Sequence, residues 1–140
     1  MRALTGLAAA TLLLAGCETA FVGRGPSGRY ALVEVNGRPL PYSHDPASHC
    51  PIRIDGGHFE LDALARRFEM LLDRSGPCAG ISGDVVERGS YLRRGGRLDL
   101  EATPEGGTPR ALVAREGGRS ISLDYDRLRL RFRQVAPQRR

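Results

Sequence analysis

The sequence predicts an all-β protein, a small antiparallel β-barrel of about eight strands in meander order, with little helix after the N-terminal leader. Glycine and proline are frequent, with 18 Gly and 9 Pro among 140 residues, which is typical of short strands joined by many turns. Apolar residues alternate with polar ones, as in strands buried on one face. A sequential meander of this size normally closes, because closure removes exposed sheet edges. The length suits one domain.

The N-terminus has the layout of an exported leader. Met1-Arg2 supplies a positive start, an apolar run follows over residues 3–14, and the small residues Ala15 and Gly16 end it. A membrane-spanning helix needs about 20 apolar residues, and this run is shorter. The sequence therefore predicts a signal peptide over residues 1–16 and no permanent transmembrane anchor.

The end of this leader, Leu14-Ala15-Gly16-Cys17, resembles the lipobox of bacterial lipoproteins. The resemblance implies a diacylglyceryl group on the Cys17 thiol, cleavage before Cys17 and acylation of the new amino terminus. Two or three acyl chains anchor a protein to a membrane stably, whereas one chain binds only marginally. Glu18 stands where the family's inner-membrane retention signal has Asp, so the resemblance implies an exported, lipid-anchored protein of the cell envelope at the outer membrane.

The patterning changes again after Cys17. Residues 17–27 are polar, glycine-bearing and aperiodic, which predicts a flexible tether. Alternation then extends over residues 28–136, the predicted barrel domain. Residues 137–140 are predicted to be a disordered tail.

The first half of the barrel domain is predicted to contain a strand, a loop and a hairpin. The strand covers residues 29–35 and ends at Asn36-Gly37, a pair of residues that adopt positive φ at little energetic cost. Three prolines predict a loop over residues 38–48. Alternation on both sides of Gly56-Gly57 predicts a hairpin over residues 52–62.

Residues 64–74 fit two interpretations. Leu64, Phe68, Leu71 and Leu72 would share one face of a helix. Phe68, Met70 and Leu72 alternate as in a strand and fit that interpretation equally well. We favour the strand, because the segment before it needs a hairpin partner.

The second half of the domain is predicted to be all strand and short turn. The strands are expected over residues 84–93, 97–101, 110–115, 119–124 and 127–135. Gly-Gly pairs at 95–96 and 117–118 join the first four of them in pairs. The inward-facing residues are expected to include Tyr30, Leu32, Phe59, Leu61, Tyr91, Leu98, Leu100, Leu128, Leu130 and Phe132.

Several short patterns resemble the small lipocalin-like domains of bacterial lipoproteins. They are Gly28-Arg29-Tyr30, Val35-Asn36-Gly37-Arg38-Pro39-Leu40-Pro41 and the hairpin from Gly89-Ser90-Tyr91 to Gly96-Arg97-Leu98-Asp99-Leu100. The resemblance implies a lipocalin-like barrel at the cell envelope and, since these domains are mostly of unassigned function, no particular activity. Tyr30 stands where true lipocalins have tryptophan, and the chain contains no Trp. This departure argues against a large apolar ligand pocket.

The cysteines divide into one lipidation site and one pair. With Cys17 acylated, Cys50 and Cys78 remain together in an oxidising compartment, which predicts a disulfide between them. The bridge would fix the segment between them to the barrel.

A metal site is a weaker alternative near Cys50. His44, His49 and Cys50 are donor types that suit zinc or copper. Their spacing fits no established site, and a disulfide-bonded Cys50 would have no thiolate to offer, so we predict no metal and no cofactor. The sequence also lacks the Gly-x-Ser-x-Gly, Walker and His-Glu-x-x-His motifs, and we predict that the protein is not an enzyme.

Arginine supplies all the basic residues counted, 21 against 16 Asp and Glu, for a formal charge of +5. Four of them, Arg127, Arg129, Arg131 and Arg133, alternate along the last predicted strand. This row predicts either a solvated outer face or a surface for a polyanion or an envelope protein. Nucleic acid is excluded as a partner, because an exported protein seldom meets it.

These observations predict an envelope lipoprotein attached to the membrane through its lipidated N-terminus. Its barrel would act as a non-catalytic interaction or structural module. The alternative is a carrier that holds a small apolar molecule inside the barrel. The bulky residues expected inside favour the first function, since an eight-stranded barrel is just wide enough for side chains to fill it.

Overall fold

The computed structural model describes residues 27–78, 83–103 and 107–136. The strands in these ranges are β1 (Gly28–Val35), β2 (Arg38–Pro39), β3 (Tyr42–His44), β4 (Ile52–Asp62), β5 (Arg67–Ser75), β6 (Val85–Arg94), β7 (Arg97–Ala102), β8 (Arg110–Gly117), β9 (Ser120–Tyr125) and β10 (Leu128–Gln134). The described residues contain no helix.

Eight of the strands close into an antiparallel barrel. Consecutive strands pair from β4 to β10, and β1 closes the circle by pairing with both β10 and β4. The predicted all-β meander barrel is therefore confirmed.

The two ends of the barrel differ in what they carry. We call one end the tether end. β1 begins there and β10 ends there, and short turns at this end join β4 to β5, β6 to β7 and β8 to β9. The opposite end, the far end, carries the remaining connections and the Cys50–Cys78 disulfide. The alternating strand directions of a meander impose this division.

Residues 38–48 were expected to form only a loop, and this was wrong, because β2 and β3 lie within them. β1 pairs with β4 only through residues 28–31, near the tether end. Towards the far end the two strands diverge, and β2 pairs with β1 while β3 pairs with β4. Leu40 and Tyr42 pack against the core there, so this segment fills the opening.

The predicted turn at Gly56-Gly57 is also absent, because β4 is one strand with a bulge between Ile54 and Gly56. β5 pairs with β4 on both sides of the bulge. A Cβ atom on Gly57 would lie 2.5 Å from the Leu71 carbonyl oxygen, so this glycine permits the close approach of β5. Gly57 thus serves strand pairing, and neither glycine reverses the chain.

The strand interpretation of residues 64–74 is confirmed from Arg67 onward. Residues 63–66 form the turn before it, in which the Asp62 carboxylate accepts hydrogen bonds from the backbone N–H groups of Leu64 and Ala65, at 2.9 and 3.0 Å. Arg66 has a φ of 53° in this turn. Leu64 therefore lies on an exposed turn and not on a helix face.

The core is a single cluster inside the barrel. Every predicted inward residue is buried except Leu128, which is half-buried against the cluster. The Phe59 ring lies 5.8 Å from the Phe68 ring and 5.6 Å from the Phe132 ring, centroid to centroid. Further apolar residues complete the cluster: Val35, Ile54, Phe68, Met70, Leu72, Ala102, Ala114, Ile121, Leu123 and Tyr125.

Candidate functional site

The predicted disulfide is confirmed, since Cys50 and Cys78 are bonded with their Cα atoms 5.7 Å apart. The bridge joins the segment before β4 to the segment after β5. It closes the far end across a sequence separation of 28 residues. Cys17 lies outside the described residues.

The residues named as weak metal candidates do not form a donor set. His44 lies on β3 and His49 in the following loop, both exposed, while Cys50 is engaged in the disulfide. Within residues 27–78, 83–103 and 107–136, no three His, Cys, Asp or Glu side chains are grouped so that they could hold a metal.

The arginine row lies outside the barrel. Arg129, Arg131 and Arg133 point outward from β10 and are exposed, as alternation requires. Arg127 precedes the strand, in a turn where its φ is 67°. The strand predicted over residues 127–135 spans only Leu128–Gln134. It begins later than predicted because Arg127 is still part of the turn that reverses the chain.

Two members of the row have carboxylate partners on neighbouring strands. Arg129 pairs with Asp124 of β9 and Arg131 with Glu34 of β1, each at 3.2 Å. Exposed pairs of this kind contribute little to stability, but they neutralise half of the row. The row is therefore a weaker anion surface than its sequence suggests.

Inside the far end lies a charged network that the sequence analysis missed. Glu87, 5% exposed, accepts a hydrogen bond from the Tyr125 hydroxyl at 2.7 Å and is ion-paired with Arg110. The Arg110 guanidinium also lies 4.6 Å above the centre of the Tyr125 ring and 3.5 Å from Asp126. The second Glu87 oxygen, Oε2, is buried and has no hydrogen-bond partner.

Strand pairing explains how Arg110 reaches Glu87 across β7. Arg110 lies opposite Ala102 and Ala102 lies opposite Gly89, so only small side chains separate β8 from β6 at this level. β8 pairs with β9 only from Ala114 onward, which leaves its first residues unpaired on that side. Arg110 therefore occupies a region where the barrel is loosened.

Burial and hydrogen bonding keep the Tyr125 phenol protonated. Desolvation is the largest cause, and the hydrogen bond to Glu87 adds to it; together they hold the pKa of Tyr125 far above its ordinary value of 10.0. The ion pair and the hydrogen bond thus hold the ends of β6, β8 and β9 together.

A second charged network closes the tether end from inside. Arg93 of β6 binds the Glu116 carboxylate of β8 through two guanidinium nitrogens. Tyr30 and Tyr91 lie close by, and burial raises the pKa of both phenols. The pKa of Arg93 is raised chiefly by its hydrogen bonding to Glu116, so the guanidinium stays charged.

Strand alternation was the signal that could have identified both networks. Glu87 and Arg93 have the same parity as Tyr91, which was expected to face inward. Arg110 and Glu116 have the parity of the buried Ala114. Applying alternation to charged as well as apolar positions places all four side chains inside.

The grooves on the outer wall include two shallow ones beside exposed apolar residues. One, of about 620 Å³ and mostly apolar, crosses β6, β7 and β8 between Leu92 and Ala111. The other, of about 720 Å³, lies over β5 and β6 beside Val86 and Arg88. Leu92 and Val86 are among the exposed large apolar residues.

Comparison of the chain with models of protein families, with curated proteins and with solved structures found no match. In the part of the chain that the structure describes, no helix is long and apolar enough to cross a membrane.

Proposed function

We propose that this protein is a lipid-anchored lipoprotein of the cell envelope whose barrel acts as a non-catalytic interaction module. Acylation of Cys17 would hold the tether end near the outer membrane, and the far end would meet the partner. The partner would be an envelope protein or an envelope polyanion. No cofactor is needed for this function.

The filled interior of the barrel is the observation that carries the proposal. Phe59, Met70 and Phe132 lie at its centre with no exposed surface, and the two charged networks occupy its ends. A carrier would need space for its ligand where these side chains lie. The interior therefore favours recognition by the outer surface over transport of an apolar molecule.

The position of the tether favours the far end as the recognition surface. β1 begins at Gly28, so an anchor at Cys17 is joined to the tether end. The far end holds β3 with the exposed His44 and is fixed by the Cys50–Cys78 disulfide. A cross-linked surface directed away from its anchor is suited to binding with little loss of conformational entropy.

Photo-crosslinking in the native envelope tests this proposal. A photoreactive amino acid at His44 should give one discrete adduct, whereas the same group at Val113, on the outer wall of β8, should not. The wild type should incorporate labelled palmitate and stay in the membrane fraction after a high-salt wash, which screens contacts of exposed charges, and the Cys17→Ser variant should lose both. A wild type that carries no label and stays soluble would reject the anchor.

A fluorescent fatty-acid analogue tests the carrier alternative. Wild type should show no saturable binding, because the core side chains leave no space for the analogue. Saturable binding by the wild type, with no adduct at His44, would replace the interaction module with a carrier.

A further inference from the structure

We propose that the tether end of the barrel is a docking surface for a bilayer that contains anionic phospholipids. The surface, named the tether-end arginine surface, consists of Arg66, Arg67, Arg94, Arg97, Arg115, Arg119 and Arg133. The proposal extends the proposed function: it gives the membrane a contact with the folded domain in addition to the acyl anchor.

Topology gathers these arginines from distant parts of the sequence. Arg66 and Arg67 come from the β4–β5 turn, Arg94 and Arg97 border the β6–β7 turn, and Arg119 lies in the β8–β9 turn. All three turns are at the end where β1 begins. Antiparallel order therefore brings the side chains to one end of the barrel, although the three turns lie far apart in the sequence.

Most of the positive charge of this surface is uncompensated. Among the described residues, no carboxylate pairs with Arg66, Arg67, Arg115, Arg119 or Arg133. Arg94 and Arg97 share one carboxylate, that of Asp99, at 3.4 and 2.6 Å. Asp62 lies opposite Arg67 in the β4–β5 pairing and also accepts hydrogen bonds from two backbone N–H groups of its own turn, so two carboxylates, Asp62 and Asp99, face seven arginines.

Like charges lie directly opposite each other across three strands of this surface. Arg94 of β6 is the cross-strand neighbour of Arg97 of β7, and Arg97 is the neighbour of Arg115 of β8. Like charges in this position destabilise a sheet. A bound anion relieves the repulsion, and arginine is the side chain best suited to the oxygens of a phosphate.

Exposed apolar residues beside the arginines favour a bilayer over a soluble anion. Leu64, at the tip of the β4–β5 turn, is 81% exposed, and Val135, just after β10, is 45% exposed. An apolar side chain flanked by arginines suits the interface between headgroups and acyl chains. Soluble polyanions offer no apolar region for Leu64.

The start of the barrel is held against this same turn. The Ala63 N–H donates to the Ser27 hydroxyl oxygen at 2.9 Å, so the chain enters the domain beside Leu64. Fully extended, the chain from Cys17 to Ser27 reaches at most about 35 Å. This step rests on the proposed acylation of Cys17, which would keep the arginine surface within that distance of the headgroups.

A tryptophan reporter tests the docking surface, because the chain has no Trp of its own. The protein carrying Leu64→Trp is added to vesicles of phosphatidylcholine alone or of equal parts phosphatidylcholine and phosphatidylglycerol. We expect its emission to shift to the blue and to be quenched by brominated lipid only in the anionic vesicles. Salt should reverse the shift, since exposed charges are screened. His44→Trp, at the far end, should show no shift.

Two triple variants in the Leu64→Trp background remove the same charge from opposite ends. Arg66→Gln, Arg97→Gln and Arg119→Gln together should weaken docking about 100-fold. Arg38→Gln, Arg127→Gln and Arg129→Gln together should change docking less than about threefold. Equal effects of the two triples would overturn the proposal, because only net charge would then matter. Circular dichroism and thermal unfolding confirm that both variants fold.

The remaining outcomes separate the surface from the anchor. Retention on pure phosphatidylcholine vesicles reports acylation alone, and the anion-dependent shift reports the surface alone. Protein that is retained on both vesicle types without any shift rejects the surface and keeps the anchor. A shift without retention on phosphatidylcholine rejects the anchor and keeps the surface. A shift with soluble polyphosphate but not with anionic vesicles would assign the arginines to a soluble polyanion and overturn the bilayer.

Discussion

At the far end of the barrel, polar side chains take part of the space that an apolar core would fill. Glu87 has Arg110 as its countercharge and the Tyr125 hydroxyl as a second donor. Removing one member of such a buried group costs more than the pair contributes, because the remaining charge is left without a partner. We infer that these residues hold the ends of β6, β8 and β9 in place.

Alkaline titration provides a prediction for Tyr125. Its pKa is held far above 10.0 in the folded protein, so the stability it contributes is complete below that value and is lost as pH rises towards the folded-state pKa. At about pH 11 the folded wild type and Tyr125→Phe should therefore show equal phenolate absorbance. Ionisation of Tyr125 should appear only with unfolding. Lower absorbance of Tyr125→Phe while both proteins are folded would contradict the raised pKa.

At the scale of single elements, β6 shows how one residue permits a strand pairing. Gly89 lies opposite Ala102 of β7. A Cβ atom on Gly89 would overlap the Glu101 carbonyl oxygen and lie 3.0 Å from the Ala102 Cα atom. Backbone atoms cannot move aside as a side chain can. The close approach of β7 that lets Arg110 reach Glu87 therefore depends on this glycine.

Gly89→Ala should lower the free energy of unfolding by at least about 2 kcal/mol. Gly56→Ala is the matched control, because no atom lies within 4 Å of a Cβ atom there, and it should change stability by less than about 1 kcal/mol. Denaturant unfolding of both variants measures the difference. Equal stabilities would show that β6 and β7 can separate locally without cost.

At the scale of the whole molecule, the two ends have different chemistry. The tether end gathers unpaired arginines and the exposed Leu64, while the far end is closed by the Cys50–Cys78 disulfide. The barrel between them is one continuous sheet with a single core. This asymmetry supports the proposal that one end of the domain contacts a membrane and that the other end is free to bind a partner.

Reduction of the disulfide should destabilise the domain without changing its fold. Closing a loop with a sequence separation of 28 contributes about 3 to 4 kcal/mol through the entropy of the unfolded chain. Denaturant unfolding with and without reductant measures this difference, provided that each transition is two-state. A Cys50→Ser/Cys78→Ser variant should behave as the reduced protein does. An unchanged midpoint on reduction would show that the unfolded chain is already compact around this loop.

The sequence by itself determined the barrel, its apolar core and the disulfide. In a strand, successive side chains point to opposite faces, so alternation with a period of two decides which side chains face inward. This pattern is local and can therefore be identified from the sequence of a single strand. Residues such as Leu98, Leu130 and Phe132 were therefore identified without a structure. The pairing of Cys50 with Cys78 followed from the predicted export signal and the number of cysteines.

Only the tertiary structure decided what lies across strands. Glu87 and Arg110 are partners because Ala102 lies between them, and the pairing of Gly56-Gly57 with β5 turned a predicted hairpin into one bulged strand. The same is true of the arginines: register places Arg97 between Arg94 and Arg115, whereas Arg129 and Arg131 acquire carboxylate partners from other strands. Cross-strand neighbours are fixed by register and closure, which join residues far apart in the chain, so local patterns could not reveal them.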